Sequence, residues 1–366
     1  MAKSNYVPSG ARIKVIGLGG SGCNAVTRMV REQLRGVEFI AMNTDAQHLG
    51  VTEAAQRIQI GEKLTRGLGA GGDHETGRRA AEESRDAIKE VVVGADMIFV
   101  TAGMGGGTGT GSAPIVAEMA KQTGALTIAV VTKPFGFEGT HRNQVAEEGI
   151  TSLMDKVDTL IIIPNDRLLD LCDHKTSVDG AFKLADEVLH HGVQAIAEVI
   201  TVPGLINLDF ADVRTVMKDA GPAWMSVGRG TGQNRATEAA KQALASPLLD
   251  VSVQGAKGVL FNIAGSSSLT LFEVNIAAEV IRKAVDPEAN VIFGVVLDPS
   301  MGNDIRLTLI ATGFATKEAM TNASREKEIN RLLKSIEDEE LDIPSYLRHH
   351  NSFPTHKPQP LKVTRN

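Results

Sequence analysis

A glycine-rich stretch at residues 102–114, AGMGGGTGTGSAP, constrains the fold of this chain more than any other segment. An apolar run at 97–100 precedes it, and a helix-like pattern follows in which Pro114 suits the first turn. A strand that turns through glycine into a helix directs free N–H groups and the positive end of the helix dipole at one point, which favours phosphate. A flexible linker is the alternative, but such linkers rarely join a buried strand to a helix. Because no Gly-Lys-Ser/Thr ending supplies a lysine, we predict a polyphosphate neutralised by amides, hydroxyls and a metal ion.

Two more glycine-rich loops occur at residues 17–22 (GLGGSG) and 67–72 (GLGAGG). The first follows the strand-like residues 13–16 and by itself matches the dinucleotide-binding fingerprint, so a Rossmann-type NAD-dependent dehydrogenase is one interpretation. Such an enzyme has no use for the other two loops. Three loops that meet at one point could each contact a different phosphate, which favours a triphosphate.

Short apolar runs alternate with helical patterns along the first half of the chain. Near-continuous apolar strands separated by helices are typical of a parallel sheet covered on both faces, here a Rossmann-like α/β sheet. The predicted strands are 13–16, 37–42, 97–101, 126–132 and 159–163, with helices at 24–32, 76–92 and 114–122. A second α/β block follows, with predicted strands 223–228, 258–264, 291–297 and 305–312 and helices 235–245 and 271–285.

A long helix separates the two blocks. Apolar residues recur at helical spacing from Val178 to Ile200, and Pro203 with Gly204 ends the run, so the helix is roughly 35 Å long. We therefore predict an α/β fold with a parallel sheet, a central helix and a second, smaller domain with a mixed sheet. The predicted segments are an extension at 1–11, a nucleotide-binding domain at 12–175, the central helix at 176–203 and the second domain at 204–316.

The first turns of the central helix offer a base-recognition pair. Phe182 and Asp186 are four residues apart and share a helix face, so a ring could stack on a purine while a carboxylate accepts hydrogen bonds. Guanine presents two adjacent donors, whereas N1 of adenine would repel a carboxylate. The ordinary alternative is a core phenylalanine and a solvated aspartate.

Three polar residues elsewhere are further candidates. Glu138 and Arg142 are also four apart, which is the spacing of a surface ion pair. Near a nucleotide, Glu138 could instead hold the ribose and Arg142 the base or phosphates. Asn165 follows a predicted strand end and could contact ribose or base.

An acidic loop follows the central helix. Asn207, Asp209 and Asp212 lie within six residues and could orient a water for attack on phosphate, although Asp209 and Asp212 also suit a helix N-cap and first turn. The loop comes after a helix of roughly 35 Å whose start carries the proposed base contacts. One copy of the chain therefore cannot easily join both ends, whereas a head-to-tail neighbour could.

Composition excludes several classes of function. The net charge is −6 and no dense Lys/Arg cluster precedes the tail, so a nucleic-acid partner is not expected. Two cysteines, Cys23 and Cys172, are typical of a reducing compartment. No signal peptide and no membrane-length apolar run occur, so we expect a cytoplasmic protein without membrane insertion.

These motifs together resemble the tubulin/FtsZ superfamily, and within it the FtsZ family of bacterial cell-division proteins. The resemblance spans residues 12–314 without large gaps. The motifs that carry it are 105–111 (GGGTGTG), 43–47 (NTDAQ), 67–72 (GLGAGG), 133–135 (KPF), 163–166 (IPND) and 207–212 (NLDFAD). Ser21 and Cys23 stand where many relatives have glycine.

The resemblance implies a GTPase that polymerises head-to-tail into protofilaments and forms a ring at the division site beneath the inner membrane. Mg²⁺ would be held mainly by phosphates and water, without direct protein ligands. Asn207, Asp209 and Asp212 would enter the nucleotide pocket of the next subunit. The residues that match the family's GTP contacts are Gly19, Gly20, Ser21, Gly22, Cys23, Asn24, Asn43, Asp45, Ala70, Gly71, Gly72, Gly103, Gly106, Gly107, Thr108, Gly109, Glu138, Arg142, Asn165, Phe182 and Asp186. A GTP-binding regulator of this type that forms no filament is an alternative.

The end of the chain carries one more match. After a linker at 317–340, residues 341–348 are similar to the peptide with which the family binds membrane adaptors such as FtsA. Residues 349–366 form a tail that matches no motif. The peptide residues that carry the match are Asp342, Ile343, Pro344, Tyr346, Leu347 and Arg348.

Overall fold

Ten strands lie side by side in one sheet, in the order β3-β2-β1-β4-β5-β6-β7-β10-β8-β9. This computed structural model describes residues 10–170, 172, 176–202, 208–248 and 253–314. The strands are β1 Ile13–Leu18, β2 Val37–Asn43, β3 Gln56–Gln59, β4 Met97–Gly103, β5 Leu126–Lys133, β6 Thr159–Pro164, β7 Gly221–Gly230, β8 Gly258–Gly265, β9 Asn290–Leu297 and β10 Ile305–Thr312.

Twelve α-helices lie between the strands in the same described residues. They are α1 Gly19–Arg31, α2 Ala46–Val51, α3 Glu62–Thr65, α4 His74–Glu83, α5 Arg85–Val92, α6 Gly107–Gln122, α7 Thr140–Met154, α8 Asn165–Leu169, α9 Val178–Thr201, α10 Phe210–Met217, α11 Arg235–Leu244 and α12 Leu271–Ala284. None of the described helices is long and apolar enough to cross a membrane.

The six strands β1 to β6 are all parallel, as their apolar sequences predict. Six of the seven residues of β4 are buried, because helices cover the sheet on both faces. One face packs against α1 and α9 through residues such as Val26 and Leu189. The other packs against α4 to α7 through residues such as Ala80 and Val116.

The second block has the mixed sheet that the sequence predicts. Strand β7 pairs in parallel with β6, then antiparallel with β10, which pairs antiparallel with β8. Strand β9 closes the edge in parallel with β8. The two blocks thus share one sheet through the β6–β7 pairing.

Several element boundaries differ from the predictions. The predicted helix at 76–92 is two helices that meet at Ser84. The predicted helix at 114–122 begins seven residues earlier at Gly107, so Pro114 lies inside α6 rather than in its first turn. The reason is that Gly107 and Gly111, which favour a loop by propensity, pack in a helix against neighbours too close for side chains.

The central helix α9 has 24 residues and therefore spans about 36 Å. Its N-cap is Ser177, whose side chain accepts a hydrogen bond from Gly180 N. It packs along α1, and its buried residues include the adjacent His190 and His191. Burial lowers the pKa of His190 to about 4 and that of His191 to about 3, so both rings are neutral at physiological pH.

Candidate functional site

The predicted binding residues lie at one edge of the sheet. Because β1 to β6 are parallel, their carboxyl ends meet there, and the loops after β1, β2, β4, β5 and β6 line it. The acidic loop belongs to a different part of the fold.

Two helices begin at the cluster without side-chain caps. Helix α1 starts at Gly19 and α6 at Gly107, and neither N-cap residue makes a side-chain hydrogen bond. Their first N–H groups and positive dipole ends are therefore free to hold an anion. Gly19 has φ +67°, and a Cβ on it would lie 2.8 Å from Gly109 N. The glycine loops at 17–22 and 102–114 therefore meet at this point.

Ser21 and Cys23, the two departures from the family resemblance noted in the sequence, lie in the first two turns of α1. Neither has a positive φ, so the serine carries no backbone strain. Ser21 is exposed and its Oγ would lie 2.6 Å from a Cβ on Gly103, which keeps position 103 without a side chain. The Cys23 thiol is buried and burial raises its pKa to about 12, so only its backbone could serve an anion.

The loop after β2 ties the cluster together through polar side chains. Thr44 Oγ1 and Thr108 Oγ1 are 2.6 Å apart, which joins this loop to the third glycine loop. His48 Nε2 lies 3.1 Å from Asn24 Oδ1 and its Nδ1 lies 3.3 Å from Asn43 Nδ2. Asp45 caps α2 by accepting from the backbone of residues 47 and 48. The sequence analysis missed Thr44, which lies within its 43–47 motif, and His48, the residue after it.

The glycine loop at residues 67–72 packs against the loop after β2 and against the glycine loop at 102–114. Gly69 N donates to Thr44 O at 3.4 Å, and Asp73 N donates to Ala70 O at 3.1 Å. A Cβ on Gly107 would lie 2.8 Å from the side chain of Ala70. The structure thus brings the three glycine loops together, as the sequence predicts.

A cavity of about 700 Å³ opens between the glycine loops at 67–72 and 102–114 and helix α7. Glu138 Oε2 pairs with Arg142 Nη1 at 2.9 Å, while Glu138 Oε1 accepts from Phe135 N at 2.8 Å. The Glu138 carboxylate is nearly buried and the Arg142 side chain is half-exposed, so the pair is more than a surface contact. The residues that line the cavity are Gly71, Gly72, Asp73, His74, Gly105, Gly106, Glu138, His141, Arg142, Gln144, Val145 and Glu148.

A second cavity, of about 610 Å³, lies between α1 and the start of α9. Its lining includes Asn24, Arg28, Phe182 and Asp186. Phe182 is 40% exposed and meets the ring of Phe135 edge-on at 5.5 Å. Phe182 is therefore not a core residue, and its open face is available for stacking on a base.

The carboxyl group of Asp186 is partly buried and is not a solvated charge. Burial raises its pKa to about 7, and nearby Arg28 opposes that rise only in part. Arg28 is held by hydrogen bonds to Lys183 O at 3.1 Å and to Glu187 Oε2 at 3.3 Å. A carboxylate with this desolvation gains from a ligand that donates hydrogen bonds. The sequence analysis missed Arg28, although it lies four residues after Asn24 on the same helix.

Asn165 adds an unsatisfied acceptor. It is 5% exposed at the start of α8, and its Oδ1 has no hydrogen-bond partner among the described residues. Buried polar atoms without partners are rare in native proteins and often mark a ligand position. Together with the uncapped helix starts, this atom fits a bound nucleotide.

The acidic residues lie towards the other edge of the sheet. Asp209 is the N-cap of α10 without a side-chain capping bond, Asp212 lies in the first turn, and both are exposed. The far end of α10 is anchored where β5 and β6 begin: Arg214 Nη2 donates to Gly124 O at 3.4 Å, and Thr159 Oγ1 donates to Met217 O. Helix α10 reaches about 12 Å from that anchor, whereas β5 separates the two edges by about 26 Å. Asn207 lies outside the described residues.

The last predictions from the sequence concern the end of the chain. The predicted peptide residues Asp342, Ile343, Pro344, Tyr346, Leu347 and Arg348 lie outside the described residues, as does the tail at 349–366.

Within the described ranges, no group of three or more His, Cys, Asp or Glu side chains is arranged to hold a metal ion.

Comparison with known proteins agrees with this architecture. Residues 12–173 match the Tubulin/FtsZ family, GTPase domain, and residues 221–315 match the FtsZ family, C-terminal domain. An empty FtsZ dimer from M. jannaschii is 47% identical over 83% of this chain and 88% of that chain, with a TM-score of 0.81.

A GDP-bound CetZ1 monomer from Haloferax volcanii shares the fold, with 23% identity over 83% of this chain and 95% of that chain and a TM-score of 0.71. The FtsZ match covers the same 83% of this chain at 47% identity. The chain therefore belongs to the FtsZ family, and its first block is a GTPase domain of the tubulin/FtsZ type.

Proposed function

We propose that this chain binds GTP at the carboxyl edge of its sheet and hydrolyses it only after a second copy stacks on that edge. The observation that carries the proposal is the separation of the glycine loops from Asp209 and Asp212, which lie towards opposite edges of one sheet. Helix α9 spans about 36 Å between the two regions, so one copy cannot close the site on its own.

The cluster supports a role for each part of the nucleotide. The free N–H groups of α1 and α6 would hold the phosphates, with Thr108 and Thr44 as hydroxyl partners. Asn165 and Glu138 would contact the ribose, and Arg142 the base or the phosphates. Phe182 would stack on the base, and Asp186 would accept from N1–H and the amino group of guanine. Mg²⁺ bound with the nucleotide would neutralise phosphate charge.

The neighbour supplies the other half of the reaction. Asp209 and Asp212 are exposed and could approach the terminal phosphate of the copy below, where their carboxylates would orient and polarise the attacking water. Asn207 would take part in the same loop. GTP would stabilise the contact between copies, and its hydrolysis would weaken it. The relative from M. jannaschii is described as a dimer, which supports self-association of this family.

Repetition of this contact would give a head-to-tail filament. We propose that the filament forms the division ring in the cytoplasm, beneath the inner membrane. Residues 341–348 would bind membrane adaptors such as FtsA, and residues 317–340 would act as the linker. We also propose that the chain divides into domains at the boundaries predicted from the sequence.

The test is the dependence of GTP hydrolysis on protein concentration. Turnover per molecule should be near zero at low concentration and should rise steeply where sedimentation detects filaments. A constant turnover per molecule across that threshold would contradict the shared site. GTP binding with no sedimentation at any concentration would favour the regulator, and NADH binding in place of GTP would favour the dehydrogenase.

A further inference from the structure

Helix α10 begins at the acidic residues, and its described hydrogen bonds to other elements come from its second half. It has eight residues, of which Val213, Val216 and Met217 are buried. Thr312 Oγ1 donates to Val216 O at 3.1 Å, and Thr159 Oγ1 donates to Met217 O. Phe210 packs against the core at the start of α10, and the hydrogen bonds to Val216 O and Met217 O fix its last turn. Small changes there move Asp209 and Asp212 relative to a neighbouring copy.

The turn after α10 is held by one lysine. Lys121 Nζ donates to Asp219 Oδ1 at 3.1 Å and to Val157 O at 3.0 Å, and it lies 3.5 Å from Asp158 Oδ1. Asp158 is buried, and its other oxygen accepts from Thr127 N at 2.8 Å. The Lys121 ammonium group therefore contacts the carboxylate of Asp158, which is bonded to the sheet, and the carboxylate of Asp219, which belongs to the turn.

Asp219 has an unusual backbone that this contact helps to maintain. Its φ is +50°, a left-handed conformation that a residue with a side chain seldom adopts. Such a conformation persists where surrounding contacts determine it, and Gly221 N donating to Asp158 O at 2.9 Å closes the same turn. Hydrogen bonding to Lys121 also lowers the pKa of Asp219, so the carboxylate stays ionised.

Helix α6 gives Lys121 a particular position. The first residues of α6 are the third glycine loop, where the phosphates would lie, and Lys121 is in its last turn. Sixteen residues, about 24 Å, connect the two ends. One rigid element therefore runs from the phosphate loop of a copy to the anchor of the same copy's acidic helix.

We infer that Lys121 is a positioning residue for GTP hydrolysis, which holds α10 through Asp219 so that Asp209 and Asp212 meet the nucleotide of the next copy. The inference rests on the proposed function, because it assumes that these carboxylates act in a neighbour's site. Lys121 lies in the last turn of α6, at the opposite end of that helix from the phosphate loop. Its loss should lower turnover within filaments and leave GTP binding unchanged.

The test compares Lys121→Met and Asp219→Asn with wild type in the full chain. Asparagine tolerates left-handed backbone, so Asp219→Asn removes the charge without changing the turn. We expect kcat at saturating protein to fall roughly 10- to 100-fold, as for a small misplacement of reacting groups, with KM and GTP affinity unchanged. Sedimentation of filaments should persist. Lys121→Arg should recover most of the turnover, and the double variant should be no slower than either single variant.

Lys156→Met is the matched control. It removes the Lys156–Glu118 pair, 3.0 Å, which also involves α6 but makes no described contact with α10. Its turnover should equal that of wild type. A similar loss in Lys156→Met, or a loss of GTP affinity in Asp219→Asn, would show a general structural role and would overturn the inference.

Asp212→Ala separates this inference from the proposed function. If Asp212→Ala loses turnover while Lys121→Met and Asp219→Asn keep it, only the positioning role fails. If Asp212→Ala keeps wild-type turnover in filaments, the shared site fails, and the role of Lys121 fails with it. Even if Lys121→Met does not fold, Asp219→Asn still decides between these outcomes.

Discussion

Asp186 lies at the start of α9 in a partly buried position, with Arg28 of α1 close to its carboxylate. Its spacing from Phe182 predicts a shared helix face, but spacing cannot distinguish a buried carboxylate from a solvated one. That distinction depends on α1, which covers the start of α9 and brings Arg28 beside the carboxylate. Asn165 is similar, because only the packed structure leaves its Oδ1 buried without a described partner.

The raised pKa of Asp186 predicts a pH-dependent cost to the nucleotide-free protein. The ordinary value is 3.8 and the folded value about 7, so the stabilising protonated state is lost as pH rises through that interval. Asp186→Asn should therefore be more stable than wild type by an amount that grows from pH 4 to 7 and then levels off at roughly 2–4 kcal/mol. Denaturant unfolding without nucleotide at pH 5, 6, 7 and 8 measures it. A pH-independent difference would contradict this assignment.

Buried His190 and His191 titrate in the opposite sense, which is why the comparison uses a difference. Their folded pKa values are lowered, so the stability that they contribute is present above pH 6.5 and is lost on acidification. Both histidines are present in wild type and in Asp186→Asn. Their contribution therefore cancels when the two unfolding free energies are subtracted.

The same substitution should change which base is bound. An asparagine can accept from N1–H of a purine but donates at the second position, which suits the oxygen of xanthine rather than the amino group of guanine. We expect Asp186→Asn to lose roughly 10- to 100-fold in GTP affinity and to gain affinity for xanthosine triphosphate. Equilibrium titration with both nucleotides measures this. Unchanged preference for GTP would place the base elsewhere.

At the element scale, the crossing of α4 and α6 explains why part of the glycine stretch is helical where the sequence predicts a loop. A Cβ on Gly111 would overlap the carbonyl oxygen of His74, and one on Gly77 would overlap that of Gly107. These glycines are helical because the two helices touch backbone to backbone. The sequence predicts long elements with strong apolar periodicity well, such as α9. It misses β3, with four residues and little burial, because no periodicity marks so short a strand.

This crossing predicts a large cost for one added methyl group. Gly111→Ala should destabilise the protein by about 3 kcal/mol or prevent folding, because the obstacle is backbone rather than a flexible side chain. Gly50→Ala is the control, since Gly50 lies in α2 with open space around its Cβ position and alanine favours a helix. Thermal unfolding of both variants should show a lower Tm for the first and an equal or higher Tm for the second. Equal Tm values would contradict the close approach.

At the scale of the whole molecule, the parallel sheet determines where the glycine loops lie. Parallel strands gather these loops at one edge, and the continuous sheet carries α10 towards the other, which is why we propose a site divided between two copies. This arrangement follows from the order of strands and helices, which the sequence predicts. The residues that maintain it, such as Lys121 and Asp219, carry no local pattern and emerge only from tertiary contacts.

Mixing two inactive variants tests the shared site most directly. Asp212→Ala keeps the nucleotide edge and loses the acidic edge, whereas Asp186→Ala weakens the nucleotide edge and keeps the acidic one. Each alone should hydrolyse little GTP at micromolar nucleotide. A mixture that co-sediments should regain a substantial fraction of wild-type turnover. In some contacts between copies, the intact nucleotide-binding residues of one copy face the intact Asp209 and Asp212 of the other. Co-sedimentation without any recovery of GTP hydrolysis would contradict a site divided between two copies.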